Sequence, residues 1–149
     1  MTATNHAITG AIIATVIHKP AIALPIALLS HFATDAIPHF GYGGHGGYRQ
    51  AIKRKLQKAM MLADPIAFVP FLLILITRHA SIWVYLAAFL AVSPDLHDFI
   101  AYFFFKKDTG WNRFSKLASA IQWCERPWGV TVEIAWYFGG LFLLNHLLG

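Results

Sequence analysis

Five runs of apolar residues, at 5–17, 20–40, 59–77, 80–105 and 128–148, exclude most folds that water could solvate on all sides. A helix crosses the hydrocarbon of a bilayer with about 20 residues at 1.5 Å of rise each, within a usual range of about 17 to 25. The second, third and fifth runs meet that length. The fourth is long but carries Ser93, Pro94 and Asp95 in its interior, which reads as one helix stopping and another starting. The first is short: a thin span sheltered by neighbours, a re-entrant piece, or a helix lying at the interface. The expectation is an all-α, polytopic helical membrane protein, one integral membrane domain over residues 1–149, with about four to five membrane-embedded helices.

Composition matters here for what it removes. With 57% hydrophobic and 13% charged residues, the chain lacks the polar surface of a soluble domain. Its one cysteine, Cys124, excludes an internal disulfide framework and a cysteine-rich zinc site, so a metal would need nitrogen and oxygen ligands. The N-terminal run lacks the basic start and small-residue cleavage site of a signal peptide and is read as mature structure. A net charge of +5 in so apolar a chain points to anionic lipid headgroups and away from nucleic acid.

The charges also set an expected topology. Arg49, Lys53, Arg54, Lys55 and Lys58 lie between the second and third runs, and Lys106, Lys107, Arg113, Lys116 and Arg126 between the fourth and fifth. If runs two to five all cross, these ten share one side, and Lys19 and Arg78 stand on the other. The bias of lysine and arginine makes the basic side cytoplasmic. Both basic connections alternate at helical spacing, Tyr48, Ala51, Ile52, Leu56, Ala59 and Met60 in one, and Trp111, Phe114, Leu117, Ala118 and Ile121 in the other. They are expected as two basic amphipathic interfacial helices, with glycine-rich residues 41–48 as a turn before the first.

On this topology His31, Asp35, His39, Asp64, Asp95, His97, Asp98 and Glu133 gather in one leaflet. Ionisable groups there are unfavourable by about 2.5 to 3.5 kcal/mol each on insertion scales and are candidates for function by default. Clustered carboxylates must be protonated, paired or neutralised, and lysine and arginine are nearly absent from the span interiors. A divalent metal fits, with zinc, manganese or iron as the choices for imidazole and carboxylate ligands. His31 and Asp35 are i and i+4 on one helix face, and Pro38 biases the chain out of helix so that His39 can turn back. Asp95 and Asp98, i and i+3, are close enough to share one ion or bridge two, with His97 between them.

Three motifs then carry a resemblance. "MTATNHAITG", "HFATDAIPH" and "SPDLHD" resemble the small bacterial inner-membrane family described as membrane-bound metal-dependent hydrolases. The likeness covers the first hundred residues and implies a helical membrane fold with His6, His31, Asp35, His39 and Asp95 as ligands. One departure is that the family's Pro-Asp-x-Asp has His97 at its second acidic position here, with Asp98 following. It also implies that the first run crosses, which would bring His6 to the side of the other ligands.

The expected function is hydrolysis of a phosphoester or related bond of a lipid or amphiphile at the cytoplasmic leaflet, with one or two divalent ions activating water. Asp64 or Glu133 is expected as general base or as a partner that fixes a histidine tautomer. Membrane lipids are the expected partners, with no nucleic acid. The alternatives are a transporter of protons or metal ions, or a non-catalytic membrane protein with a structural metal.

Overall fold

The computed structural model describes residues 1–41, 53–108 and 110–149. Among these are six helices: α1 (Ala3–Val16), α2 (Pro20–Asp35), α3 (Lys55–Thr77), α4 (Ile82–Phe105), α5 (Arg113–Ile121) and α6 (Val130–Leu147), the last entered through a 3₁₀ turn at Pro127–Gly129. Two short strands, β1 (His39–Phe40) and β2 (Glu125–Arg126), pair in parallel with His39 opposite Glu125. The all-α expectation holds. Most of the glycine-rich turn and the start of the first basic amphipathic stretch, residues 42–52, lie outside the described residues.

Three stretches, Lys55–Thr77, Ile82–Phe105 and Pro127–Leu147, are long and apolar enough to cross a membrane. Their outer faces stay uncovered: Leu62, Ile66, Val69 and Leu73 of α3 and Ile134, Phe138 and Phe142 of α6 are all exposed. An apolar surface of this extent is unfavourable in water and neutral in lipid, which fits membrane association.

Inside this shell lies α1, packed against α2, α3, α4 and α6. Its 14 residues cover about 21 Å at 1.5 Å per residue. Enclosure by neighbours is what makes so short a helix tolerable. The packing is close because the facing residues are small: Ala7, Ala11 and Ala14 of α1, Ala23 and Ala27 of α2, and Ala87, Ala88 and Ala91 of α4 are all buried. Gly10 marks the tightest approach, since a Cβ there would stand 2.5 Å from the Ala87 carbonyl oxygen and 2.8 Å from Ala91 Cβ.

Two expected helix breaks are absent. α4 runs through Pro94 without interruption. Proline cannot donate to the carbonyl four residues back, a loss of about 3 kcal/mol in a helix interior, but here Ser93 Oγ donates to that carbonyl, Leu90 O, at 2.8 Å. Ser93, read as part of a helix break, is a repair of the helix. Likewise α3 continues through Pro65 and Pro70, and the basic residues from Lys55 onward form its first turns instead of a separate interfacial helix. The second basic stretch does form its own helix, α5, with Arg113, Lys116, Phe114 and Leu117 exposed and Ser115 and Ala118 buried. α2 stops at Asp35 after 16 residues, ahead of Ile37, which Pro38 biases out of helix, so the second run, expected to be long enough for a span, is not among the three span-length helices.

These elements give the bundle two unlike ends. At one, the start of α1 meets the end of α2, Asp64, Asp95 and Glu133. At the other, Arg78 Nε donates to Asn145 Oδ1 at 2.9 Å.

Candidate metal centre

The first contribution comes from α1 and α2. His6 and His31 are both buried, and their rings stack with centroids 4.0 Å apart and planes 29° apart. Each ring has one nitrogen engaged away from the centre. His31 Nδ1 donates to the Ala91 carbonyl at 2.9 Å; a carbonyl only accepts, so this assigns the proton to Nδ1. His6 Nδ1 lies 2.9 Å from Thr34 Oγ1, whose own hydrogen goes to the Ser30 carbonyl one turn back at 2.9 Å. The hydroxyl therefore accepts from His6 Nδ1. Both Nε2 atoms are left as lone pairs, the state in which imidazole binds metal.

Both lone pairs point at carboxylates. His6 Nε2 lies 3.2 Å from Asp35 Oδ1 and 3.8 Å from Asp95 Oδ2, and His31 Nε2 lies 3.3 Å from Asp35 Oδ2 and 3.7 Å from Asp95 Oδ1. His6 Nε2 is fully buried and makes no hydrogen bond of acceptable geometry. Acceptor facing acceptor is repulsive unless a cation stands between. The group His6, His31 and Asp95 can hold a metal ion, with one ligand atom from each lying within 4.8 Å of the others. Two imidazoles and a carboxylate are the chemistry of zinc, manganese or iron. Asp95 also forms the open edge, its side chain 28% exposed where those of His6 and His31 are at most 1%.

Asp35 belongs to the same cluster but is differently engaged. Its Oδ1 accepts from the Met1 ammonium at 2.6 Å and its Oδ2 from Gln122 Nε2, at the end of α5, at 3.0 Å. Burial alone would lower the pKa of the Met1 ammonium, but the carboxylates of Asp35, Glu133 and Asp95 outweigh it and hold the group above the ordinary α-amino value. Asp35 thus sits against both imidazoles while tying the centre to the N-terminal segment and to α5.

The remaining candidates fall in three places. Asp64 and Glu133 meet the start of α1: Asp64 Oδ2 and Oδ1 accept from the backbone N–H of Ala3 and Thr4 at 3.1 and 3.2 Å, and Glu133 Oε2 accepts from Thr2 N, Thr2 Oγ1 and Asn5 Nδ2 at 3.1, 2.9 and 2.7 Å. His39 is buried in β1 with Nδ1 donating to the Ile37 carbonyl at 2.8 Å, and burial holds its pKa below the ordinary imidazole value. The 3₁₀ turn that enters α6 packs against its backbone: a Cβ on Gly129 would overlap the His39 carbonyl.

His97 and Asp98 form a separate cluster with α5. His97 Nδ1 and Asp98 Oδ1 are 2.9 Å apart, Ser115 Oγ donates to Asp98 Oδ2 at 2.7 Å, and Gly110 N donates to Ser115 Oγ at 2.6 Å. Trp111 stacks on the His97 ring with planes 16° apart. Of the sequence candidates, then, His6, His31 and Asp95 converge, Asp35 abuts them, and His39, Asp64, His97, Asp98 and Glu133 stand in other contacts.

Thr34, the Ala91 carbonyl and Gln122, which orient the cluster, were not among the candidates. Thr34, beside Asp35 and three residues from His31, carried the only local signal. No family model, curated protein or solved structure matches the chain.

Proposed function

We propose that this chain is a membrane-bound, metal-dependent hydrolase acting on a phosphoester or related bond of a lipid or amphiphile, at the cytoplasmic leaflet of a bacterial inner membrane. The observation that carries this reading is the pair of imidazole lone pairs, fixed by Thr34 and the Ala91 carbonyl and aimed with Asp95 at one point, with His6 Nε2 left without a hydrogen bond. A divalent ion bound there supplies a Lewis acid and acidifies water toward a pKa of about 7. His6 and His31 hold their orientation through Nδ1, Asp95 would complete the ligand set at the exposed edge, and Asp35 sets negative charge against both rings. A buried purely structural site would have no need of such an edge.

The surroundings suit an anionic amphiphile. Lys106, Lys107, Arg113, Lys116 and Arg126 are exposed, and so are Trp111, Trp123 and Trp128. Cationic and indole side chains together favour a headgroup layer. Transport has less support, because beyond the cluster α1, α2 and α4 close on buried alanines, whereas an ion path needs polar or hydrated steps throughout.

The test is elemental analysis of protein purified in detergent, followed by phosphate release from anionic phospholipid vesicles. One transition-metal equivalent, with turnover abolished in Asp95→Ala, is the expected result. Turnover that persists after complete metal removal would overturn the reading.

A further inference from the structure

The start of a helix leaves backbone N–H groups without intrahelical partners. In an apolar surrounding each such group is unfavourable by several kcal/mol unless bonded. α1 does not supply its own cap: Thr2 makes no side-chain capping bond, and the first turn contains no acidic residue. The partners come from two other helices. Asp64 of α3 places one carboxylate oxygen on each of the Ala3 and Thr4 N–H groups, while the Asp64 carbonyl accepts from Thr4 Oγ1 at 3.1 Å. Glu133 of α6 takes the Thr2 N–H, the Thr2 hydroxyl and the Asn5 amide on one oxygen, and its carbonyl takes a second bond from Asn5 Nδ2 at 3.0 Å. Negative charge on both sides of the positive end of α1 adds to these bonds.

This arrangement reaches the centre through His6. Thr4 and Asn5, which the two carboxylates hold, immediately precede His6, while His31 and Asp95 come from α2 and α4. A shift of α1 by one residue would move His6 about 1.5 Å along the axis and turn it by about 100°, taking Nε2 away from Asp95 and placing another side chain against His31. Neither α2 nor α4 sets that register by a polar contact as extensive; α1 approaches α4 most closely where Gly10 meets Ala87 and Ala91. Both carboxylates accept from donors at the start of α1, which is a different use from proton transfer.

We propose that Asp64 and Glu133 are positioning residues, a two-sided clamp on the first turn of α1 that sets His6 at the metal centre. The proposal rests on the metal reading above. It assigns to these carboxylates an effect on how the ion is held, and it predicts that they act as a pair from α3 and α6.

The test uses full-length protein in detergent, stripped of metal and titrated with cobalt(II), whose visible absorption reports ligand geometry. Asp64→Asn turns one acceptor into a donor facing an N–H, and weakens cobalt binding by about 10- to 100-fold, the range for partners that orient a ligand. Its absorption bands move toward those of His6→Ala. Glu133→Gln retains an acceptor oxygen and shows the same shift with a smaller loss. Asp98→Asn, a matched change at the other cluster, leaves affinity and spectrum at wild-type values. Helix content and elution volume identify the folded preparations; if Asp64→Asn does not fold, Glu133→Gln and Thr2→Ala carry the comparison. Wild-type affinity and spectrum in the folded clamp variants would overturn the clamp alone, as would an equal loss in Asp98→Asn. A folded wild-type protein that binds no cobalt would overturn the metal reading and the clamp with it.

Discussion

Two clusters of histidine and aspartate meet α4 three residues apart, at Asp95 and at Asp98, and they differ in what their hydrogen bonds leave over. At His97 and Asp98 the acceptors have donors: Asp98 takes Ser115 Oγ on one oxygen and faces His97 Nδ1 with the other, and Asn112 Nδ2 lies 3.4 Å from His97 Nε2. At Asp95 the histidine N–H groups are spent elsewhere, and what remains is lone pairs facing carboxylates. The first arrangement is complete and holds α5 to α4. The second is a group that could hold a metal ion. Residue type is the same in both, so the difference lies in where each donor was used.

Removing a ligand separates the clusters most strongly. His31→Ala is expected to weaken metal binding by more than ~100-fold, beyond the effect of orienting residues, while His97→Ala leaves the metal content of purified protein unchanged. Equal metal loss in both would merge the clusters into one site. Metal removal is the next largest effect: an ion at about 1,000 times its dissociation constant stabilises by about 4 kcal/mol. Chelator should therefore lower the melting temperature of wild-type protein in detergent and leave that of His31→Ala where it is.

Thr34→Val sharpens the comparison further, since it removes the acceptor for His6 Nδ1 without touching a ligand atom. A 10- to 100-fold loss of affinity is expected, measured by competition with a chromogenic chelator; unchanged affinity would mean the hydroxyl does not set the tautomer. The complementary change, Ser115→Ala, leaves an Asp98 oxygen without its donor and should destabilise by about 1 to 3 kcal/mol in thermal unfolding, with metal affinity retained. The smallest effect belongs to Ser93→Ala, which unpairs the Leu90 carbonyl beside Pro94: about 1 kcal/mol of stability, read from the same unfolding curves.

Much of the architecture was legible because a bilayer asks for length and apolarity, and α3, α4 and α6 have both. The apparent break at Pro94 misled because a proline inside a helix is read locally as a stop, whereas Ser93 supplies the missing bond. Asp64 stands in the sequence as a candidate general base or histidine partner. It caps a helix sixty residues earlier in the chain, and no spacing rule reports that. The candidate centre was legible in part: His31 and the neighbouring Asp35 through their separation of four, Asp95 through its position inside an apolar run, and His6 only by resemblance.

By itself the sequence determined that the chain is helical, that it is apolar enough for a membrane, and that its carboxylates are concentrated near the basic connections. These follow from composition and periodicity, which act over a few turns. Only the tertiary structure decided which of those groups meet. α1 is enclosed by α2, α3, α4 and α6, so that His6 reaches His31 and Asp95 while His97 turns to α5. The physical reason is that a buried polar atom is defined by its partners, and here those partners come from other helices, brought into contact by the packing of small residues along α1.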